Sequence, residues 1–290
     1  MIFLYGLVLV TVVITWKAFE DFSFYEKHVF RVDPILIRKE YSRMFMSGFL
    51  HSNYLHLGFN MFALFSFGEQ LINTFFSPIE FAVLYAGSLL AGSLLLLYIH
   101  RNHGDYSAVG ASGAVSGVVF ASVALIPNGG IGLIFIPGLY IPSWLFGLIF
   151  VGYSIFGIRS QRGRIAHEAH LGGALGGLLL TLLYFYNRHQ FDYRVIAAIL
   201  IPSLIFLYFV VYHPEWMITG KVNWGNSPFR LKRPKIRRDF SPKTKKQHPG
   251  KAEPEKTRTA ELNELLDKVN EVGYNNLSEA EKRRLDQLSR

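Results

Sequence analysis

Ser112 sits in Gly110-Ala111-Ser112-Gly113, at the head of an apolar stretch. His170 sits in Ala169-His170-Leu171-Gly172-Gly173, near the start of another. His56 and Asn60 lie near the start of a third, and their spacing of four puts them on one helix face. Polar and ionisable groups at membrane depth are costly unless satisfied, so these residues are the informative ones. A serine hydroxyl is a nucleophile only when a base takes its proton, and a histidine on another helix can do this. The oxyanion then needs fixed donors, and an asparagine amide with a nearby imidazole supplies them. No Asp is spaced to orient the base, so the pattern points to a Ser–His dyad rather than a triad.

Each residue alone has a plainer reading. A serine among glycines in a membrane helix is usually a packing residue, and Gly110, Gly113 and Gly117 would serve close helix approach whatever Ser112 did. A lone histidine near a helix end is usually an interfacial or satisfied residue, which is the expectation for His167 and Glu168. Glu69 reads as a buried structural hydrogen bonder, and His189 and His213 as flanking residues. It is the coincidence of a nucleophile, a base and two donors at one end of three different stretches that favours chemistry. The chain has no cysteine, which excludes thiolate nucleophiles, disulfides and Cys-ligated metals. No metal site and no cofactor is expected.

The elements that would position these groups are membrane helices. Of the 290 residues 50% are apolar and 15% aromatic. They mass into seven stretches, about 1–16, 54–76, 78–99, 106–127, 131–158, 165–187 and 195–213. A span needs roughly 20 apolar residues. The first stretch is short, has no basic residue before Lys17 and no small-residue cleavage site, and reads as a retained helix rather than a signal peptide. The fifth, with Pro137, Gly138 and Pro142, has room for a loop before its helix. Residues 17–53 are too polar to span and too apolar for a free linker, so an interfacial, partly inserted structure is expected there.

The charge lies elsewhere. Residues 214–290 hold 18 of the 30 Lys and Arg. Residues 214–258 read as a basic disordered linker that cannot bury a core. Helical spacing returns in Leu262, Leu265, Leu266, Val269 and Val272, and Ser278 with Glu281 forms a capping box. Residues 259–290 are therefore expected to form a small helical hairpin that docks a protein partner or the chain itself. The basic tail suits anionic lipid headgroups rather than nucleic acid, because it carries no fold that reads bases.

Together the motifs resemble the rhomboid family of intramembrane serine proteases. The resemblance covers roughly residues 1–187: His56 and Asn60 match HxxxN with His51 before it, Gly110, Ser112 and Gly113 match GxSG, and Ala169, His170, Gly173 and Gly177 match AHxxGxxxG. It implies an all-α membrane protein with a six-helix core (1–187), to which the sequence adds a seventh helix (188–213). It implies that Ser112 attacks the scissile carbonyl and that His170 is base, then acid. The Ser112 amide, His56 and Asn60 would hold the oxyanion, His51 would line a water-accessible cavity, and Gly113, Gly173 and Gly177 would pack the helices of nucleophile and base. The family's Trp-Arg in the first loop reads Tyr41-Ser42-Arg43 here, and the retained Arg43 is expected to satisfy loop carbonyls. Substrates would be single-span membrane proteins, and the setting a bacterial cytoplasmic membrane. The rivals are a catalytically silent family member that binds membrane proteins, and a transporter or channel, which would need polar groups deeper in the bilayer.

Topology depends on the last stretch. With seven spans, the side holding 17–53 and the tail carries ten loop basics and the tail's eighteen, against Arg188 and Arg194 opposite. The positive-inside rule then puts the site and tail in the cytoplasm. If 195–213 lies on the surface instead, the tail moves across and the site faces away from the cytoplasm, as in bacterial members of the family. The uncharged run from Val195 to Val211 favours a real span. Single cysteines introduced at Ser160 and Ser241 should then react alike with an impermeant thiol reagent on intact cells; opposite labelling would show that the segment does not cross.

Overall fold

The computed structural model describes residues 1–133, 136–160 and 165–213, together with residues 278, 280–282 and 284. The chain divides into two compact units, Met1–Trp224 and Gly225–Arg290. In the first, α1 (Ile2–Glu20) is followed by the short helices α2 (Phe22–His28), α3 (Val32–Leu36) and α4 (Ser42–Met46), with strand β1 (Phe30–Arg31) between α2 and α3. Then come α5 (Tyr54–Thr74), α6 (Pro78–His100), β2 (Ser107–Ala108), α7 (Ser112–Leu125), a hairpin of β3 (Gly130–Leu133) and β4 (Ile136–Pro142), α8 (Ser143–Ser160), α9 (His167–Phe185) and α10 (Tyr193–Tyr212). Local sequence sets these starts. Asn53 accepts from the His56 amide to cap α5. Ser77 and Glu80 form a capping box ahead of Pro78 in α6. Asp192 caps α10.

Among the described residues, α1, α6, α8, α9 and α10 are long and apolar enough to cross a membrane. This is an integral multi-pass membrane protein built as a helical bundle. α7 is the exception in length. Its 14 residues rise only about 21 Å at 1.5 Å each, less than the hydrocarbon core. Every residue in it except Ser112 is buried, so protein rather than lipid surrounds its ends. Gly110, at φ +135°, stops the helix from starting upstream of Ser112, which is why the expected span at 106–127 begins late.

The segment 17–53 is folded, and α1 claims its first residues. β1 pairs antiparallel with β2, Phe30 opposite Ala108. The buried Arg43 donates from Nη1 to the carbonyls of Glu26 (2.7 Å) and Val29 (3.0 Å) and from Nε to the Glu40 carboxylate. The guanidinium holds the Glu40 carboxyl below the usual carboxylate range. Ser93 of α6 donates to the Met44 carbonyl (2.9 Å), which fastens the segment to the bundle. The room expected before α8 is filled by the β3–β4 hairpin, Gly132 opposite Tyr140. Glu69 is half-buried and makes no hydrogen bond among the described residues, so it is not the buried hydrogen bonder expected; its partial exposure on α5 leaves the carboxylate open to the surroundings rather than enclosed by protein. In the second unit the Ser278 amide and hydroxyl donate to the Glu281 carboxylate, and the Glu281 amide to Ser278 Oγ. The apolar positions 262–272 lie outside the described residues.

α9 packs most extensively on α6 and α7. A methyl group on Gly173 would collide with the Gly113 carbonyl, one on Gly177 with the Gly117 backbone, and one on Gly92 with the Ala169 carbonyl. Without lipid-expelling forces, such close backbone approach is what holds membrane helices together. Gly173→Ala should therefore lower the thermal midpoint in detergent, at a cost of about 1–3 kcal/mol for overpacking. Gly152→Ala on α8, where a methyl meets nothing within 4 Å, should leave it unchanged.

Candidate active site

In a bundle that runs up and down, alternate helices enter from the same side. α5, α7 and α9 do so, and Ser112, His56 and His170 sit in their first turns, with Asn60 one turn further along α5. Ser112 is the first residue of α7, His56 the third of α5 and His170 the fourth of α9. The amino-terminal ends are also where helix dipoles favour developing negative charge.

Gly110 is the hub. At its φ of +135° a side chain would be strained, and the space a Cβ would fill is taken by the His56 ring: Nε2 would lie 2.9 Å away and Ser112 Oγ 3.7 Å. His56 and Ser112 thus bracket one small region. The Gly110 amide donates to the Ser47 carbonyl (3.0 Å), which ties this turn to the 3-10 turn Ser47–Phe49. On its other edge His56 Nδ1 is 3.2 Å from Ser52 Oγ, which accepts from Asn53 Nδ2. Asn60 is buried and donates from Nδ2 to the His56 carbonyl (2.9 Å), which spends one of its two amide protons. Ser116, one turn below Ser112, donates to the Ser112 carbonyl (2.7 Å).

The helix carrying His170 is seated by the glycines described above, with the Ala169 carbonyl against Gly113 and Gly92. The imidazole lies beside Phe150 of α8, ring centroids 6.1 Å apart, and beside His167 at 6.0 Å. Among the described residues, no hydrogen bond joins His170 to Ser112, and no carboxylate bonds to His170. Catalytic contacts of this kind often tighten only around substrate.

His51 departs from its expected place. It is fully buried and lines no water-accessible cavity, because Thr15 of α1 and the Ala111 amide occupy its two ring nitrogens. Its ring meets that of His56 at 4.9 Å. Of the two expectations for His167 and Glu168, the structure shows burial rather than an interfacial place, with Glu168 satisfied by a partner. Both are buried, and Glu168 Oε1 is 3.1 Å from His100 Nε2 at the end of α6. Tyr106 stacks on the His100 ring at 3.6 Å, and burial, with the Glu168 charge behind it, pushes the Tyr106 phenol up. An acid inside an apolar stretch was the available signal for this cluster. For Thr15 it was a polar residue on the buried stripe Leu4, Thr11, Thr15, Ala18. Among the described residues no group of His, Asp and Glu is placed to hold a metal ion.

Comparison with known proteins places this arrangement. Residues 38–187 match the model of the Rhomboid domain, and residues 253–290 match a family of unknown function. Rhomboid protein 1, mitochondrial, of Saccharomyces cerevisiae is 33% identical over 171 residues, 57% of this chain and 47% of that protein. RHOMBOID-like protein 12, mitochondrial, of Arabidopsis thaliana is 27% identical over 179 residues, covering 56% and 52%. The mitochondrial Presenilin-associated rhomboid-like protein of Homo sapiens is 28% identical over 138 residues, covering 47% and 36%. The chain spans about half the length of these relatives, or less. The Rhomboid domain match covers half of the chain and every helix that carries a candidate site residue, so the protein belongs to the rhomboid family.

Proposed function

We propose that the protein is an intramembrane serine endopeptidase that cuts membrane-anchored proteins in or near their spanning segment. The observation that carries this reading is the convergence on Gly110: the His56 ring and Ser112 Oγ both lie against its bare Cα, with the first turn of α9 packed alongside. Ser112 Oγ adds to the scissile carbonyl as His170 takes its proton. The oxyanion is held by the Ser112 amide, His56 and Asn60. A hydroxyl proton given by Ser52 to His56 Nδ1 would leave Nε2 as the donor on the side of Gly110. Collapse breaks the C–N bond, and His170 returns the proton to the leaving amine. Water, deprotonated by His170, then hydrolyses the acyl-serine ester.

The substrates of this reading are single-span proteins whose helix unwinds near the membrane surface, since a helical backbone is closed to attack. The basic linker 214–258 contacts anionic headgroups, and residues 259–290 dock a partner or the chain itself. The host membrane is a bacterial cytoplasmic membrane or its mitochondrial counterpart, which the names of the relatives favour; fractionation of the source cell separates these. A silent membrane-protein adaptor is the alternative function.

A fluorophosphonate should label the detergent-purified protein, and Ser112→Ala should abolish labelling while Ser116→Ala does not. Equal labelling of the Ser112 variant would end the assignment of Ser112, and a parent that is not labelled would leave the adaptor as the better reading. His170→Ala should slow cleavage by about 10³-fold or more with the fold intact. If His167→Ala were dead and His170→Ala normal, the base would be His167. His56→Ala and Asn60→Ala should each lower kcat by about 10²- to 10³-fold with little change in KM. A loss confined to KM would move those residues to substrate binding.

A further inference from the structure

α1 carries none of the groups assigned to the reaction, yet one of its side chains reaches the residue before the nucleophile through a single intermediary. Thr15 is fully buried, and its hydroxyl donates to the Phe49 carbonyl (2.8 Å). The same oxygen is 3.0 Å from His51 Nδ1. A hydroxyl has one proton, and a carbonyl can only accept. The Thr15 proton is therefore spent on Phe49, and towards His51 the hydroxyl oxygen accepts. The proton of that contact belongs to His51 Nδ1.

A neutral imidazole protonated at Nδ1 has its lone pair on Nε2. That atom is 3.4 Å from the Ala111 amide, which donates to it. Ala111 is fully buried, and among the described residues its amide has no other acceptor, so losing His51 would orphan it. An imidazolium would set N–H against N–H at this contact. Burial, and then the neighbouring His56, push the His51 imidazole down to about 3, so the neutral form persists. The carbonyl of Ala111 is held from below by the Val115 amide (2.9 Å). Ala111 is thus fixed on both sides, and its peptide link to Ser112 carries the Ser112 N–H.

We propose that Thr15 and His51 are positioning residues: Thr15 selects the Nδ1–H tautomer of His51, and that tautomer holds Ala111 so that the Ser112 amide points where the oxyanion forms. His51 then serves as an acceptor and not as an oxyanion donor. This deepens the proteolytic reading and rests on it.

The test uses the full chain in detergent with 15N-labelled histidine, the His51 signals assigned by comparison with His51→Gln. The parent and Thr15→Ser should show His51 protonated at Nδ1, with Nε2 as the unprotonated nitrogen; Thr15→Val should lose that single tautomer. Fluorophosphonate labelling should slow roughly 10- to 100-fold in Thr15→Val, as for a misplaced catalytic group, and stay near parental in Thr15→Ser. Cleavage of a substrate should show the same loss in kcat, with KM little changed. An Nε2–H tautomer in the parent, or parental labelling by a folded Thr15→Val, would overturn the proposal. If Thr15→Val does not fold, the tautomer in the parent and in Thr15→Ser still decides. If the parent is not labelled at all, the proteolytic reading fails separately, because the tautomer is read without any reaction.

Discussion

The contact of bare backbone with bare backbone along α7 and α9 is the constraint on which the rest depends. Gly113 and Gly117 face Gly173 and Gly177 with no room for a methyl group, and Gly172 and Gly176 meet Ala91 of α6 on the other side. Within lipid no hydrophobic force draws helices together, so dispersion between closely fitted surfaces must do it. Such a fit has one register. It sets the first turn of α9 level with the first turn of α7, and so sets His170 level with Ser112. A side chain anywhere in the seam would move His170 relative to Ser112 before it touched either.

A second constraint follows from the shortness of α7. A helix too short to span, with a polar residue at its head, must have that end covered by protein rather than lipid. The folded segment between α1 and α5 supplies that cover. Arg43 ties its carbonyls together, Ser93 fastens it to α6, and β1 pairs with β2 just ahead of Gly110. The Ser47 carbonyl and His51 then grip the two residues before Ser112. The same segment that covers the head of α7 therefore also shapes the turn that presents Ser112.

The candidate nucleophile, base and donors could be singled out only together, because each polar residue alone reads as packing or interfacial and it is their clustering at one end of three apolar stretches that stands out; Arg43 was singled out by the family resemblance. The start of α7 was not legible. Residues 106–111 are as apolar as a helix, and only the pairing of β2 and the positive φ of Gly110 keep them out of it. The β3–β4 hairpin was hidden for the opposite reason, since its Pro and Gly residues mark a break without saying that strands pair there. Thr15 and the Glu168–His100 pair were passed over because their partners lie 36 and 68 residues away, and a single polar residue on a helix announces no partner.

The proposed reaction forms its bond at Ser112 Oγ, beside His56, with His170 as the base. The most direct measurement is a structure of the protein covalently trapped with a peptidyl inhibitor that mimics the tetrahedral intermediate. The predicted result is a bond to Ser112 Oγ, with the inhibitor's oxyanion in hydrogen-bonding range of the Ser112 amide, His56 Nε2 and Asn60 Nδ2, and His170 drawn towards Oγ. A bond to any other residue, or an oxyanion turned away from His56 and Asn60, would contradict it.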